Sequence, residues 1–453
     1  MKWVFLVFLI GFTPVLLAWL RNNPEKLPQL MFVFGTLPFL EYMLNISASP
    51  YGWPMWRGYA VGIEISLTDA FALAILFGTK ARSKIQIPTL AKIAFGIYLL
   101  AFFITYVMSE VPIASGFYGW QILRTFLIFL AVARAVSINE KAAPALFAGL
   151  AAGVIVQAVD AVTQFAGGAT QAGGIFGHQN TLGMITNFIA IPAFALFLGG
   201  YQQRLAIVCI LAALVIAYTG GSRATIGLLM VGMGVTLMLS IWHHRTGRKA
   251  AIGGGAVIGA LLLSTVMIAA VDRRSEADRE SSNEMRDQMI EGAKMIIADH
   301  PFGIGANMYV TTANTGGYVA RSGVTWTSAQ AIIHNTYYLV RIELGPLGLV
   351  GLILLILSAI LGAIRNVKRL RPSLESEYSV GTAAALLAFS VHAYFEWVPM
   401  IFAVHTLFAI TFGLVIGFWA RKGVAGVDAF RRKPISRKPG RGPVANKPRL
   451  ARR

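Results

Sequence analysis

Three basic side chains lie at the start of apolar runs of the sequence or in the long polar segment between two runs. Arg223 follows Gly220 and Gly221 at the start of one run, Arg286 lies in a long polar segment, and His334 opens another run. A charge inside a membrane costs ~2.5–3.5 kcal/mol, so each cation needs a reason. Arginine binds phosphate through a planar, bidentate guanidinium, and histidine exchanges protons near neutral pH. These residue types predict a site for a phosphate-bearing lipid head beside a base.

The stretch that follows His334 adds further candidates. If a helix starts near His334, then Tyr338 and Arg341, four and seven residues on, fall within about 40° of its face. Arg341 is therefore a third candidate for binding phosphate. Asn335 and Tyr338 are weaker candidates for binding a glycan or an acceptor.

Other polar residues at run boundaries are weaker candidates for the same glycan or acceptor. His178 and Asn180 open an apolar run, and Arg321 lies in the polar segment. Structural interpretations stay open: Arg223 can snorkel outward from the boundary, Arg286 can lie on a solvated helix face, and a histidine at a helix start can cap it.

Several motifs of common enzyme chemistry are missing from the sequence. It has no Asp-x-Asp pair, which often holds a divalent ion on a diphosphate, and no Walker A, His-Glu-x-x-His or Gly-x-Ser-x-Gly motif. The single cysteine, Cys209, excludes an intrachain disulfide. We therefore expect no metal and no cofactor, with arginine binding phosphate directly.

The elements that position these residues follow from composition. The chain has 453 residues, of which 56% are hydrophobic and only 13% charged, about half the charged share of soluble domains. One spanning helix uses ~20 apolar residues, so the sequence predicts an all-α polytopic membrane protein with 12 or 13 transmembrane helices. The predicted spans are 3–20, 28–46, 61–78, 88–108, 118–137, 143–165, 181–199, 204–219, 222–242, 250–270, 336–364, 379–397 and 400–420.

Charge distribution predicts the orientation and the domains. Lysine and arginine gather in alternate gaps, which are therefore cytoplasmic by the positive-inside rule. The opposite face then carries one long loop, 271–335, between an N-terminal bundle at 1–270 and C-terminal helices at 336–420. Within this loop a capping-box pattern and helical spacing predict an amphipathic helix over about 283–298, ending before Pro301.

A basic tail follows the last span. Residues 421–453 hold twelve Lys and Arg against one acid, Asp428, so this segment carries +11 of the chain's net +19. Its prolines and lack of apolar periodicity predict disorder. Basic residues after a span favour binding to anionic membrane lipid over nucleic acid.

The sequence resembles the O-antigen ligase and polymerase superfamily of bacterial membrane glycosyltransferases. The resemblance covers roughly residues 140–415 and includes the long loop, whereas the basic tail lies outside the family pattern. The motifs that carry it are Gly177-His178-Gln179-Asn180, Ser222-Arg223-Ala224, the stretch from Arg286 to Gly305, and His334-Asn335-Thr336-Tyr337 followed by Glu343-Leu344-Gly345.

This resemblance implies a metal-independent enzyme with a GT-C-like, all-helical fold in the bacterial inner membrane. Such enzymes move a glycan from undecaprenyl diphosphate onto an acceptor hydroxyl on the periplasmic side. By matching positions, Arg223 and Arg286 would hold the diphosphate and His334 would serve the acceptor, which is lipid A core for a ligase and another lipid-linked glycan for a polymerase. Protein glycosylation shares this chemistry and stays open.

A transporter or lipid flippase is the alternative from another class. In that case Glu64, Asp69 and Asp160 would be proton or ion sites within the membrane. The structural interpretation of Asp69 and Asp160 is that they form ion pairs with Arg124 or Arg341 inside the helix bundle.

Overall fold

A computed structural model describes residues 2–80, 85–272 and 276–431, and this part of the chain is predominantly helical. The strands β1 (Ser47–Gly52) and β2 (Gly62–Ser66) form a two-stranded antiparallel hairpin. The helices are α1 Lys2–Asn22, α2 Leu27–Leu44, α3 Leu67–Gly78, α4 Thr89–Met108, α5 Pro112–Ile138, α6 Ala142–Ala166, α7 Gln179–Gly199, α8 Gln203–Gly220, α9 Arg223–His243, α10 Gly247–Asp272, α11 Glu276–Asp299, α12 Tyr309–Thr315, α13 Tyr318–Arg321, α14 Thr336–Glu343, α15 Gly345–Arg369, α16 Leu374–Phe395 and α17 Phe402–Arg431.

Eleven helices in the described residues are long and apolar enough to cross a membrane, which confirms an all-α polytopic membrane protein. They are α1, α2, α4 to α9 and α15 to α17. The prediction was 12 or 13. The helix at the predicted span 250–270, α10, is present but is not among the eleven.

The predicted span 61–78 is wrong over its first part. Residues 62–66 form strand β2, and only the twelve residues of α3 are helical. A helix of this length is ~18 Å long, against a hydrocarbon core of ~30 Å. Ser66 and Asp69 start α3 with a reciprocal capping box, which fixes the change from strand to helix.

The predicted span 336–364 is also wrong, because it is two helices. The helical conformation is interrupted between α14 and α15 at Gly345, whose φ of +68° favours glycine. A Cβ at this position would lie 2.4 Å from the carbonyl oxygen of Phe302, so only glycine fits. The spanning helix is α15, and α14 precedes it as a separate eight-residue helix.

The long polar segment folds into one long helix, α11, and the short helices α12 and α13. The predicted helix over 283–298 exists but starts earlier, so α11 has 24 residues and ends at Asp299, as Pro301 indicated. Its Met289, Ala293 and Ile296 stripe is buried in a hydrophobic cluster with Tyr98 of α4. The apolar face of α11 therefore packs against the helix bundle.

The basic tail is only partly described. Helix α17 continues to Arg431, past the predicted start of the tail at 421. Residues 432–453 lie outside the described residues. Disorder there and lipid binding by the tail stay predictions.

Candidate active site

A buried glutamate, Glu396, lies at the centre of the candidate site. It follows α16 directly and is 1% exposed. Its Oε2 lies 2.9 Å from Nδ1 of His334, and its Oε1 accepts from Nη2 of Arg286 at 3.2 Å. The amide Nδ2 of Asn180 also donates to Oε1. One carboxylate therefore joins three residues that sequence analysis singled out from distant parts of the chain.

The backbone around Glu396 is fixed by the start of α14. The carbonyl oxygen of Glu396 accepts from the Thr336 amide at 3.1 Å and from the Thr336 hydroxyl at 2.6 Å. Asn335 is the N-cap of α14, and its side chain accepts from the Tyr338 amide at 3.1 Å. The helix starts at Thr336, so His334 precedes it and does not share a helix face with Tyr338 and Arg341 as predicted.

Arg286 reaches the carboxylate from the third turn of α11. Because α11 begins at Glu276, Arg286 lies well inside the helix and its charge is not placed at the positive N-terminal end of the helix dipole. Its Nε is buried and has no hydrogen-bond partner in the described residues. The Arg286 guanidinium therefore keeps donors that are not used by Glu396.

The residues Glu396, His334, Arg286 and Asn180 form what we call the Glu396 cluster. Arg223 lies beside this cluster but takes no part in its hydrogen bonds. Ser222 donates to Oδ1 of Asn180 at 2.6 Å and also caps α9 by accepting from the Thr225 amide at 3.3 Å. Arg223, the next residue, is exposed and forms no hydrogen bond or ion pair within the described part of the chain. Asn180 and Ser222 thus bring the start of α9 against Glu396.

His178 lies near the cluster, at the end of a turn held by the side chains of buried Gln157 and half-buried Gln164. Gln164 accepts from the amides of Gly173 and Gly174 at 3.1 Å each, and Gln157 accepts from the Ile175 amide at 3.1 Å. His178 stands at the N-cap of α7 without a side-chain capping bond. Burial lowers the pKa of His178, and the charges of His334 and Arg286 lower it further, against the opposing charge of Glu396.

The electrostatic balance keeps Glu396 ionised. Burial by itself would raise the pKa of its carboxyl, but the His334 hydrogen bond and the nearby His334 and Arg286 charges outweigh burial and lower it. A carboxylate has only acceptors, so His334 must donate from Nδ1. In the neutral imidazole the other nitrogen, Nε2, is then an acceptor, which is the state a general base needs.

The remaining sequence candidates are not joined to Glu396 by a direct contact. Arg341 is half-buried, and its Nη1 has no hydrogen-bond partner in the described residues. Arg321 lies elsewhere: it stacks on Tyr318, 4.5 Å from the ring centroid, and approaches Asp299 at 3.9 Å. Tyr338 is half-buried on α14. Arg321 in particular belongs to a separate surface cluster.

Glu396, near the last external turn that the sequence predicts, has weaker support from the sequence than His178 as a residue that binds sugar hydroxyls or caps a helix. The available signal was an acid directly after an apolar run, in a chain that places several cations at such boundaries and few acids. Asp160, which we considered as a partner for an arginine, accepts instead from Gln164 at 3.0 Å. Asp69 forms an ion pair with Arg124, as its structural interpretation predicted.

Apolar helices that surround a buried carboxylate, with an imidazole and a guanidinium on its two oxygens, define a multi-pass membrane protein with a polar site at one face of the bundle. Residues 205–356 match the family model described as O-antigen ligase, which confirms the predicted superfamily. The matched region contains Arg223, Arg286 and His334 but neither Asn180 nor Glu396. No curated protein matches the chain.

This family match supports an enzyme of the O-antigen ligase or polymerase type rather than the transporter alternative. It also implies, in general terms, a lipid-linked glycan and an acceptor as partners.

Proposed function

We propose that the Glu396 cluster transfers a glycan from undecaprenyl diphosphate to an acceptor hydroxyl, at the periplasmic face of the bacterial inner membrane. The acceptor is another lipid-linked glycan or lipid A core, so that the enzyme is a polymerase or a ligase of surface polysaccharide. The reaction is a single inverting displacement without a metal. The observation that carries this proposal is the pairing of His334 Nδ1 with Glu396 at 2.9 Å.

In this mechanism His334 is the general base. Its Nε2 takes the proton from the acceptor hydroxyl while the hydroxyl oxygen attacks the sugar carbon and the bond from that carbon to the diphosphate oxygen breaks. Glu396 holds the imidazole in the correct tautomer and stabilises the imidazolium that forms, as the carboxylate does in Ser-His-Asp triads. Undecaprenyl diphosphate leaves with the bonding electron pair.

Arginines stabilise the charge that grows on the leaving diphosphate. Arg286 uses only Nη2 on Glu396, so its remaining donors are available to phosphate oxygens. The exposed Arg223, one residue after Ser222, is the second candidate, and Arg341 with its unpartnered Nη1 is the third. Preorganised cations aimed at developing charge are a strong source of catalysis in water-poor sites.

An apolar cavity provides a place for the lipid tail. It has a volume of about 290 Å³ and lies between α4, α5, α15 and α17. Its lining includes Thr336, the residue whose hydroxyl bonds the Glu396 carbonyl oxygen. Part of a polyprenyl chain held there would place its diphosphate near the cluster.

The test of this function is a reaction of purified protein with a defined undecaprenyl-diphosphate oligosaccharide and candidate acceptors. Chain lengthening identifies a polymerase, and a single transfer onto lipid A core identifies a ligase. Failure to consume the lipid-linked donor with any acceptor would contradict the proposal, as would transport of the donor without covalent change.

Replacing Arg223 with alanine should lower kcat/KM for the lipid-linked donor by about 10- to 100-fold, because a charge-assisted hydrogen bond contributes ~1.5–3 kcal/mol. The melting temperature should stay unchanged, since Arg223 is exposed and forms no ion pair among the described residues. Arg204→Ala, which removes an exposed arginine at the other end of the bundle, is the matched control. Equal activity of both variants would remove Arg223 from the mechanism.

Chelation should leave the transfer rate unchanged, because arginines neutralise the leaving group in this mechanism. The measurement compares initial rates before and after dialysis against EDTA, with and without added Mg²⁺. A loss of rate that Mg²⁺ restores would overturn the metal-free step while leaving the assignment of His334 intact.

A further inference from the structure

A group of exposed basic side chains lies at the end of the bundle that is remote from Glu396. They stand at or just after the end of α15: Arg365, Lys368, Arg369 and Arg371. Helix α17 starts at Phe402, shortly after Glu396, and its Trp419 contacts two of them. Seventeen residues of helix separate Phe402 from Trp419, or ~26 Å, which is close to the ~30 Å of a hydrocarbon core. The basic group therefore lies at the opposite membrane boundary from the Glu396 cluster.

The ring of Trp419 brings two of these cations together. The guanidinium carbon of Arg369 lies 4.0 Å from the centroid of the ring, and that of Arg365 lies 4.5 Å from it. A guanidinium over an aromatic ring is attracted to the ring face and keeps the N–H donors at its edge for a bidentate contact with phosphate. Arg365 and Arg369 are four residues apart on one helix, where like charges repel each other. An anion bound by both would offset that repulsion.

Acidic side chains do not balance the charge of the basic group. The sequence has no Asp or Glu between 344 and 374. The next two acids along the chain have cations of their own, because Glu375 pairs with Arg421, and Glu377 pairs with Lys249 at 2.5 Å. Arg365 forms no hydrogen bond or ion pair within the described part of the chain. This end of α15 is therefore a cationic surface that attracts anions.

An apolar crevice opens directly beside the two arginines. It has a volume of about 130 Å³ and lies between the start of α4 and the far parts of α15 and α17. Arg365 and Trp419 line it, together with the buried side chains of Val415 and Ile416. Leu361 lines it as well and is 45% exposed, so the crevice is open to the outside of the helix bundle. We call it the Arg365 crevice.

The chemistry of the Arg365 crevice selects one class of ligand. At a membrane boundary, guanidinium donors beside an apolar slot fit a molecule that joins a phosphate to acyl chains, which is a phospholipid. The surrounding charge then decides between lipid types. Lys368 and Arg371 attract a headgroup whose only charge is its phosphate, and they repel the ammonium group of a zwitterionic headgroup. The crevice therefore favours an anionic phospholipid.

We propose that the Arg365 crevice binds one anionic phospholipid of the surrounding membrane. Its phosphate lies on the guanidinium groups of Arg365 and Arg369, and part of one acyl chain lies between α4, α15 and α17. This site is distinct from the predicted lipid contact of the basic tail, because its lining residues all precede residue 421. It is also independent of the proposed glycan transfer, since it lies at the other membrane boundary.

The test measures lipid binding to the full-length protein by native mass spectrometry, with phosphatidylglycerol and phosphatidylcholine that have identical acyl chains. Wild type should bind phosphatidylglycerol more tightly than phosphatidylcholine. The double variant Arg365→Gln with Arg369→Gln should lose about 10-fold or more of its affinity for phosphatidylglycerol, because charge-assisted hydrogen bonds to the phosphate are removed. The matched control is Arg204→Gln with Arg245→Gln, which removes two exposed arginines at the same end of the bundle and should bind like wild type.

A further variant decides the matter if the double variant has a lower melting temperature. Trp419→Leu keeps both arginines and an apolar wall but removes the ring that aligns them, so it should weaken phosphatidylglycerol binding by a few-fold. Equal binding of the two lipids by wild type would overturn the inference, as would equal losses in the double variant and its control. Tighter binding of undecaprenyl phosphate than of phosphatidylglycerol would also overturn it, because the crevice would then serve a polyprenyl carrier.

Discussion

Replacing His334 with alanine should lower the rate of glycan transfer by about 10²- to 10⁴-fold, the usual contribution of a general base. The reason is geometric. Glu396 occupies Nδ1 of the imidazole, so Nε2 is the nitrogen that can accept the hydroxyl proton. Alanine leaves the acceptor hydroxyl without a proton acceptor, while the arginines that we propose for diphosphate binding stay in place.

The measurement is kcat and KM for donor and acceptor in variants with unchanged melting temperature. We expect the loss to fall on kcat, with donor KM within a few-fold of wild type. His244→Ala is the control, because His244 is an exposed histidine at the opposite end of α9 and should have wild-type activity. A His334→Ala enzyme that keeps a tenth or more of the wild-type rate would show that another group removes the proton.

The hydropathy pattern predicted most helices correctly but not the positions where a predicted span is interrupted. Hydropathy cannot tell a strand from a helix in a short apolar run, which is why residues 62–66 were assigned to a span and form β2. The break at Gly345 arises because its backbone meets Phe302, a contact between segments far apart in sequence. Such contacts leave no periodic signal in either segment.

The candidate site was only partly predictable, because its residues also meet through contacts between segments far apart in the sequence. Arg286, His334 and Asn180 lie at the boundaries of apolar runs or in the polar segment. At such positions the residue type by itself indicates a candidate for binding or catalysis. Their common partner is Glu396, which only the packing of α7, α11 and α16 reveals. Arg321 has the same type and a similar position in the sequence, yet it pairs with Asp299 in another cluster.

Replacing Glu396 with glutamine should lower kcat by about 10²- to 10⁴-fold, although Glu396 itself does not contact the substrate in the proposed mechanism. The Asp→Asn change in Ser-His-Asp triads costs about 10⁴-fold because the imidazole takes the wrong tautomer. A glutamine amide would donate to Nδ1 of His334 and force the proton onto Nε2, which then cannot act as a base. The change also frees Arg286 from its partner carboxylate.

This second effect separates a positioning role from a merely structural one. If Arg286 binds diphosphate, Glu396→Gln should leave donor KM unchanged or lower it while kcat collapses, and Glu396→Asp should restore part of kcat. A structural role would instead raise donor and acceptor KM together and lower the melting temperature in both variants.

The pH dependence of stability gives an independent check. Because the pKa of Glu396 is lowered in the folded protein, its stabilisation is present above the unfolded value of ~4.3 and is lost as the pH falls through the lowered folded value. Wild type should therefore keep its melting temperature from neutral pH to about pH 5 and lose more of it below that than Glu396→Gln does. Parallel curves for the two proteins would mean that the carboxylate is not held by His334 and Arg286, and the proposed base would lose its anchor.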